Sequence, residues 1–234
     1  ERDRYQSNPG TNSAPHNTFV LGDFVLTSWY RDGVRVTDAS NPNVMLETGY
    51  FDTSPLSGPG FNGAWGVYPY LPSGNILVTD MEEGLFVISS NYTYGAYLTG
   101  TVTDDNDGSL LNNVEVEIVS VPGSETETEF DGTYATGTAT AGIYDVSFLK
   151  VGYEQKTVSG VTLTNGSTTT LDVTLVPLVP FTLTGMVVDS VTGNGIPNAH
   201  VLIESSTTSF STQADGSGNF TMPNIFGDTY DVYA

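Results

Sequence analysis

The stretch LTGTVTD, Leu98 to Asp104, returns almost unchanged as LTGMVVD, Leu183 to Asp189, 85 positions later. In both copies apolar residues alternate with small or polar ones, which is the pattern of a half-buried β-strand. An enzyme active site rarely needs two copies of itself, whereas a modular surface protein often does. The repetition therefore predicts two copies of one β-rich module.

Longer runs follow each of the two stretches in the same order. The segments DGTY and AGIYDVSF follow the first, and DGSGNF and GDTYDVYA follow the second. Tyr144 and Tyr230, in the last segment of each run, are 86 positions apart, so the offset holds with one residue of slippage. The second run stops before any counterpart of Val151–Leu175. We expect its last strands to be missing or to be supplied by chain outside this sequence.

Alternation with a period of two dominates the rest of the chain. Val114, Val116 and Ile118 are predicted to face one side of a strand, and Glu115 and Glu117 the other. No apolar helical pattern persists for three turns. Clusters of Gly, Asn, Asp and Pro separate the strand-like runs at a spacing typical of sandwiches and barrels. The predicted class is all-β.

Composition divides the chain into three predicted domains. Residues 1–94 hold both tryptophans and all four arginines, whereas residues 95–176 are rich in Thr, Val and Glu. The segment VPLVPF, Val176 to Phe181, is predicted to be a short, stiff connector because each proline fixes φ and restricts the residue before it. The third domain is then residues 177–234.

The repeated motifs resemble the carboxypeptidase regulatory-like family. The motif order G-x-V-x-D, D-G-x-Y/F, G-x-Y-x-V and G-Y carries the resemblance, which covers residues 96–176 fully and residues 181–234 in part. The family fold is a seven-stranded, prealbumin-type β-sandwich. In that family the module serves as a stalk, spacer or interaction domain and carries no catalytic residues, which is what the resemblance implies here.

The first domain resembles the end of a choice-of-anchor B protein, a secreted bacterial protein built on LVIVP-type β-propeller repeats. The segments DGVRVTDASNP, EGLFVI and GAWGVYPYLPSGNI, all within residues 10–90, carry this resemblance. It implies the closing blade or two of a propeller and cargo of the type IX secretion route. The complete expectation is therefore all-β: the end of a β-propeller followed by two β-sandwich modules, the second incomplete.

Charge excludes several classes of partner. The chain has 27 acidic and six basic side chains, for a net charge of −21. Such a surface repels nucleic acid, whose binding depends on Lys and Arg, and it repels anionic membranes. No apolar run approaches the roughly 18 residues of a membrane span, so no membrane insertion is expected. The chain has no cysteine, which excludes disulfides and thiol catalysis.

Only two histidines are available for acid–base chemistry. Alternation sends His200 to solvent between two inward-facing residues. His16 precedes a strand and could approach Asp23 or Asp38, where a structural hydrogen bond to a turn is favoured over a catalytic or metal-binding role. No G-x-S-x-G elbow and no Ser-His-Asp order is present. We therefore predict no catalytic residue and no enzymatic activity.

The segment TDDNDGSLL offers a candidate calcium loop. Asp104, Asp105 and Asp107 supply the hard oxygen ligands that calcium takes. An EF-hand register anchored on Gly108 fails, because its last ligand position would be Val114. Asp and Asn before Gly are also typical of a hairpin turn, which is the favoured interpretation. No cofactor other than this possible calcium ion is expected.

Short patterns predict candidate glycan acceptors. Asn91, Asn165 and Asn219 each begin an N-x-S/T sequence. Ser190 lies in DSV, which fits an Asp-Ser/Thr-apolar pattern that some bacteria use for O-linked glycans. Such patterns also occur by chance.

Five aromatic residues of the first domain could form a sugar-binding platform, because aromatic rings stack on sugars. Packing between propeller blades is the alternative interpretation, and it is favoured. The five residues are Trp29, Tyr30, Trp65, Tyr68 and Tyr70.

Together these features predict an extracellular, non-enzymatic structural or adhesive protein: a stalk, spacer or appendage subunit on a bacterial cell surface. Its expected partners are other copies of itself or neighbouring domains of a longer chain, with surface glycans as a further candidate. The chain begins with Glu1 and stops within a strand-like run, so we expect a piece of a longer polypeptide. The alternatives are an accessory region of a secreted hydrolase and a carbohydrate-binding propeller protein.

Overall fold

The chain folds as a series of β-sheets. The computed structural model describes residues 4–8 and 11–234. Across these residues it has twenty strands, arranged in six sheets, and no helix. The all-β prediction is confirmed.

The first domain opens with a four-stranded antiparallel sheet in which each strand pairs with the next along the chain. Gly33 turns the chain between the two central strands: its φ is +74°, and a Cβ there would lie 2.2 Å from the carbonyl oxygen of Phe51. Only glycine fits this turn. The strands are β1 (Thr18–Leu21), β2 (Phe24–Ser28), β3 (Val34–Asp38) and β4 (Leu46–Phe51).

A three-stranded antiparallel sheet follows and packs on the first. Its strands are β5 (Ala64–Tyr68), β6 (Ile76–Asp80) and β7 (Gly84–Ile88). The two sheets share one apolar core, formed by Phe24, Leu26, Val34, Val36, Ala64, Val67, Ile76 and Val78. A propeller needs a ring of such sheets. The propeller predicted for residues 1–94 is therefore not shown by these two.

The second domain is a β-sandwich. One sheet has the order β10-β9-β12-β13, and the other has β11 and β14 on either side of β8, with β15 also paired to β8. Strands β14 and β15 run parallel to β8, and the other pairs are antiparallel. The strands are β8 (Ala96–Asp104), β9 (Glu115–Ile118), β10 (Thr126–Glu127), β11 (Thr133–Thr138), β12 (Gly142–Leu149), β13 (Lys156–Leu163), β14 (Ser167–Thr170) and β15 (Val173–Leu175).

The inward-facing residues of these strands form the largest core of the chain. The predicted inward set Val114, Val116 and Ile118 is fully buried, as is Phe148. Burial of these alternating side chains removes apolar surface from water, which is the main stabilising contribution to such a sandwich.

The third domain repeats the start of this sandwich. Two strands form one sheet, β16 with β19, and three form the other, in the order β18-β17-β20. Its core centres on Val201, Ile203, Met222 and Ile225. The strands are β16 (Phe181–Met186), β17 (His200–Glu204), β18 (Ser209–Gln213), β19 (Asn219–Ile225) and β20 (Asp231–Tyr233).

The two sandwiches share hydrogen bonds at equivalent positions. The N–H of Gly108 donates to the carbonyl oxygen of Asp104 at 2.9 Å, and the N–H of Gly193 donates to that of Asp189 at 2.8 Å. Both glycines have φ near +70°. The repeat in sequence is therefore a repeat in backbone geometry as well.

Each LTG motif has glycine at its third position because an aromatic ring of the neighbouring strand lies where a side chain would be. Gly100 is paired with Tyr134, and Gly185 with Phe220. A Cβ at Gly185 would lie 2.5 Å from the Phe220 ring, and one at Gly100 would lie 1.9 Å from the carbonyl oxygen of Leu171. A larger residue has no room at either position, which accounts for the repetition of LTG.

Strands β16 to β20 correspond to β8 to β12, and residues 177–234 contain no counterpart of β13 to β15. As a result the third domain buries its core less well. Leu98 and Val102 are fully buried, whereas their counterparts Leu183 and Val187 are only partly buried.

Candidate functional site

The most regular polar feature of the chain is an aspartate at the end of a strand. Asp38, Asp80 and Asp104 each close a V-T-D triplet, and Asp189 closes V-V-D. In all four cases one carboxylate oxygen accepts the N–H of the residue two positions later, at 2.7–3.0 Å. This is the geometry of an Asx turn. The aspartate side chain accepts a backbone hydrogen bond from two residues further on, and the strand ends there.

The predicted calcium loop consists of such turns. Asp104 accepts the N–H of Asn106 at 2.7 Å, and Asp107 accepts that of Ser109 at 2.8 Å. The latter bond holds the pKa of Asp107 below its ordinary value. Nowhere in residues 4–8 and 11–234 do three His, Cys, Asp or Glu side chains form a group that could hold a metal ion. Calcium binding by Asp104, Asp105 and Asp107 stays a prediction.

Asp104 also receives a bond from the far end of its domain. The Tyr153 hydroxyl donates to the second carboxylate oxygen of Asp104 at 2.9 Å. Burial, together with this bond, raises the pKa of Tyr153 to about 12. The G-Y motif and the V-T-D motif, 49 positions apart, therefore form one structural unit.

A buried aspartate joins the first domain to the second. The carboxylate of Asp38 is fully buried. It accepts the N–H of Gly95 at 2.7 Å and that of Ser40 at 2.9 Å. The Ser40 hydroxyl in turn lies 3.3 Å from the hydroxyl of Tyr97, on β8. Burial, with Asp38 nearby, raises the pKa of Tyr97 to about 12.

The second and third domains are joined through the predicted connector. The N–H of Leu178 donates to the carbonyl oxygen of Gly152 at 2.8 Å, and that of Glu154 donates to Val176 at 2.9 Å. The ring of Phe226, in the third domain, lies over Gly152: a Cβ there would be 3.1 Å from it. The first half of the connector, residues 176–178, is therefore paired with the G-Y loop.

A broad groove of about 1770 Å³ lies between the first domain and the outer face of the second. Threonines of three strands, among them Thr99, Thr133 and Thr170, line its floor. Carboxylates surround it, so the groove is unsuited to anionic ligands. They are Glu47, Glu125, Glu127, Glu129, Asp131 and Asp172.

The two histidines lie in different surroundings. His200 is exposed on β17, between the half-buried Ala199 and the buried Val201. A structural hydrogen bond to a turn was favoured for His16, which could have approached Asp23 or Asp38; its Nδ1 lies 2.6 Å from the backbone carbonyl oxygen of Trp65, on β5. The imidazole also stacks on the Trp65 ring, with centroids 3.9 Å apart.

The candidate glycan acceptors differ in accessibility. Asn91, Asn219 and Ser190 are exposed. Asn165 is half-buried, and its Nδ2 donates to the carbonyl oxygen of Ala139 at 3.2 Å. An acceptor amide must be free to react, so Asn165 is the least accessible of the four. Modification at any of them stays a prediction.

The five predicted aromatic residues separate into two groups. Trp29 and Tyr30 are buried, at 6% and 7% exposure, as packing requires. Trp65, Tyr68 and Tyr70 are 44–45% exposed. The Tyr70 hydroxyl donates to the carbonyl oxygen of Val20 at 2.6 Å, which orients its ring. The three exposed rings also contact neighbouring rings: Trp65 lies against His16, and Tyr68 and Tyr70 lie against each other.

The two inter-domain junctions were not predicted from the sequence. Asp38 looks like an ordinary turn residue there, and its bond to Gly95 depends on how two domains meet. The repeated V-T-D triplet was the available signal.

The part of the chain that the structure describes contains no helix able to cross a membrane.

Comparison with known proteins gives one informative match. The sequence model of the carboxypeptidase regulatory-like domain matches residues 97–176 and residues 182–234. No curated protein matches the chain.

Solved structures give weaker likenesses. A Streptococcal ancillary pilin is 15% identical, with a TM-score of 0.40, over 81% of this chain and 71% of that one. The Bacillus anthracis TIE protein is 16% identical, with a TM-score of 0.28, over 97% and 54%. The shaft pilin SpaA from Lactobacillus rhamnosus GG is 12% identical, with a TM-score of 0.28, over 59% and 85%.

The family match spans more than half of the chain. It falls on the two sandwiches, whose turns and glycine–aromatic pairs occur at equivalent positions. The chain belongs to the carboxypeptidase regulatory-like domain family.

Proposed function

We propose that this chain is a non-enzymatic structural or adhesive part of a bacterial cell-surface protein, acting as a stalk, spacer or appendage subunit. Two modules of one family stand in series, and the aspartates that end the V-T-D and V-V-D triplets close turns.

The observation that carries this proposal is the bonding of both junctions. Asp38 ties the first domain to Gly95 at the start of the second. Leu178 and Gly152 tie the second domain to the connector of the third. A spacer must hold its domains in a fixed order and spacing, and paired connectors limit the bending that a free linker would allow.

The charge of the chain supports an extracellular location. A net charge of −21 keeps the surface soluble and self-repelling, and salt outside the cell screens this repulsion. The absence of cysteine leaves sheet packing to supply the stability. The choice-of-anchor B resemblance of residues 1–94 adds export by the type IX route to the proposal.

We further infer that the two sheets of the first domain are blades of a propeller completed by other chain segments. Each is an antiparallel meander, and the two pack through one shared core, as neighbouring blades do. Residues 1–94 expressed alone should then unfold without cooperativity, because blades bury their faces against neighbours. A cooperative thermal transition would contradict this.

Domain replacement in the parent gene tests the spacer role. Residues 97–234 are exchanged for an unrelated, rigid β-sandwich pair of equal length, or for a Gly/Ser linker of equal residue number. A spacer keeps its surface display and attachment with the rigid pair and loses them with the flexible linker. If both replacements abolish attachment equally, the modules have a specific binding role and the spacer proposal is wrong.

Carbohydrate binding by the first domain is the second candidate function. The exposed rings of Trp65, Tyr68 and Tyr70 favour it, because sugars stack on such surfaces. Glycan-array binding that is lost in Trp65→Ala, and kept in the control Phe130→Ala, would support this candidate. Phe130 is equally aromatic and 91% exposed, but lies in the second domain.

A further inference from the structure

Three Asn-Gly pairs occur in the chain, at residues 62–63, 165–166 and 194–195. An Asn-Gly pair can react without an enzyme. The backbone nitrogen of the glycine attacks the side-chain carbonyl carbon of the asparagine and gives up its proton, and the side-chain amide leaves as ammonia. Water then opens the resulting succinimide ring to aspartate or to isoaspartate. The reaction requires that the glycine nitrogen and the asparagine side chain are both free to move.

The first pair is held at both of its reacting groups. The N–H of Gly63 donates to Oε2 of Glu82 at 2.8 Å. The Oδ1 of Asn62 accepts the Nε–H of Arg31 at 2.6 Å. Gly63 is also buried. Both hydrogen bonds must break before the glycine nitrogen can reach the asparagine side chain, so the fold protects this pair.

The second pair is held in the same way. The N–H of Gly166 donates to the carbonyl oxygen of Gly95 at 2.7 Å. The Nδ2 of Asn165 donates to the carbonyl oxygen of Ala139 at 3.2 Å, and the asparagine is half-buried. Attack on Asn165 therefore also requires two hydrogen bonds to break first.

The third pair has neither restraint. Asn194 is exposed, and in the described part of the chain nothing bonds to its side chain or accepts the N–H of Gly195. The N–H of Asp189 donates to the carbonyl oxygen of Asn194 at 2.8 Å, and that of Ile196 donates to Val187 at 2.9 Å. Gly195 lies between these two bonds, at a non-hydrogen-bonded position of an antiparallel bridge, so its N–H points away from the paired segment.

The equivalent position in the second domain is exposed too, although that domain contains β13 to β15. Leu110 corresponds to Gly195, since each forms an isolated antiparallel bridge, with Thr103 and Val188 respectively. Leu110 is 54% exposed. The exposure of this turn is therefore a property of the module and does not result from the number of strands in the third domain.

Packing requires the glycine of the third pair. A Cβ at Gly195 would lie 1.9 Å from the carbonyl oxygen of Ser217. A residue without a side chain also offers the least steric hindrance to attack by its nitrogen. The fold thus demands the residue that makes the pair reactive.

We propose that Asn194 is a site of spontaneous deamidation, at which the nitrogen of Gly195 displaces ammonia from the asparagine side chain. Either product adds one negative charge to a chain whose net charge is −21. Isoaspartate also adds a methylene group to the backbone, which displaces the carbonyl group that accepts the N–H of Asp189. The reaction therefore opens the turn that follows β16. This inference goes beyond the spacer role and does not depend on it.

Peptide mapping of the aged chain tests the proposal. The whole chain is incubated at mildly alkaline pH, samples are digested with chymotrypsin, and mass spectrometry measures the conversion of each asparagine. We expect conversion at Asn194 to be at least about tenfold faster than at Asn62 or Asn165, because those two pairs must first break hydrogen bonds. In urea the three rates should differ much less, since the bonds are then absent.

The variant Asn194→Gln supplies the matched control, because the longer side chain closes a ring far more slowly. Hydrogen exchange of the Asp189 amide gives a second readout. This amide should lose its protection as the unaltered chain ages and keep it in the variant.

Three results would overturn the proposal. They are equal conversion at the three pairs in the folded chain, an excess at Asn194 that persists undiminished in urea, and equal loss of Asp189 protection in Asn194→Gln. The second would assign the reactivity to the local sequence and not to the fold. Should Asn194→Gln fail to fold, the comparison of the three pairs in the unaltered chain still decides the matter.

Discussion

The ring of Phe220 occupies the space that a side chain at Gly185 would need, on the strand directly beside it. Tyr134 and Gly100 repeat this arrangement one module earlier. The two glycines differ in what else lies near them. At Gly100 the atom nearest to an added Cβ would be the backbone carbonyl oxygen of Leu171, whereas at Gly185 the three nearest atoms all belong to the Phe220 ring.

This difference predicts unequal effects of one substitution. Gly100→Ala forces backbone to move and should lower the free energy of unfolding of the second domain by about 3 kcal/mol. Gly185→Ala requires only a ring to shift and should cost the third domain about 1 kcal/mol. Urea denaturation of each variant measures both. Equal losses, or no loss for Gly100→Ala, would contradict the packing described here.

The bond between Tyr153 and Asp104 predicts a loss of stability at high pH. The pKa of Tyr153 in the folded chain, about 12, is above its ordinary value of 10.0. The folded state therefore retains the proton more strongly, and this contribution is complete below pH 10 and is lost as the pH rises toward 12.

The variant Tyr153→Phe tests this contribution. It should destabilise the second domain by about 1 kcal/mol at pH 7, because it leaves Asp104 with one acceptor oxygen unused. Its stability should also fall less steeply between pH 10 and pH 12 than that of the unaltered chain. Identical alkaline profiles, followed by circular dichroism, would mean that Tyr153 does not hold this bond.

The buried carboxylate of Asp38 predicts that one substitution loosens the first junction. Asp38→Ala leaves the N–H of Gly95 and that of Ser40 without their acceptor, at a cost of about 1–3 kcal/mol. Limited proteolysis should then cleave faster between residues 89 and 95. The control Asp23→Ala removes only an exposed acceptor of the Tyr94 hydroxyl and should leave the rate nearly unchanged. Equal cleavage of the two variants would contradict the role of Asp38.

The aspartate turns of the third domain predict acid sensitivity. N–H groups of Thr192 and Ser217 hold the pKa values of Asp189 and Asp215 below the ordinary 3.8. A lowered pKa in the folded state contributes stability that is complete above pH 3.8 and is lost as the pH falls below it. Denaturation midpoints between pH 5 and pH 2 should fall less in Asp189→Asn than in a control variant, Asp231→Asn. No difference between these two variants would count against the turn.

The sequence predicts the strands well because their cause is local. The alternation in Val114–Ile118 indicates directly which side chains are buried. The repeat of LTG marks the two glycines over which an aromatic ring lies. The architecture of the first domain is harder to predict from the sequence. The same antiparallel meander is found in propeller blades and in pairs of packed sheets. Only the neighbours of residues 1–94 would distinguish these.

The site was harder to predict, for a physical reason. Asp38 and Tyr153 act through partners 57 and 49 positions away, which spacing alone does not reveal. For His16 the sequence favoured a structural hydrogen bond, and the structure gives its ring a backbone partner and a ring contact, both at Trp65, 49 positions away. For Asp104 and Asp107, the turn that the sequence favoured is the geometry observed.

The chain holds one module twice. Strands β14 and β15 pair with one edge of β8, whereas the equivalent edge of β16 has no partner strand within the described residues. Hydrogen exchange at single amides tests this most directly, because protection follows pairing. The amides of Thr99 and Thr101 should exchange far more slowly than those of Thr184 and Met186 in the same monomeric chain at neutral pH. Equal protection of the two pairs would contradict the claim.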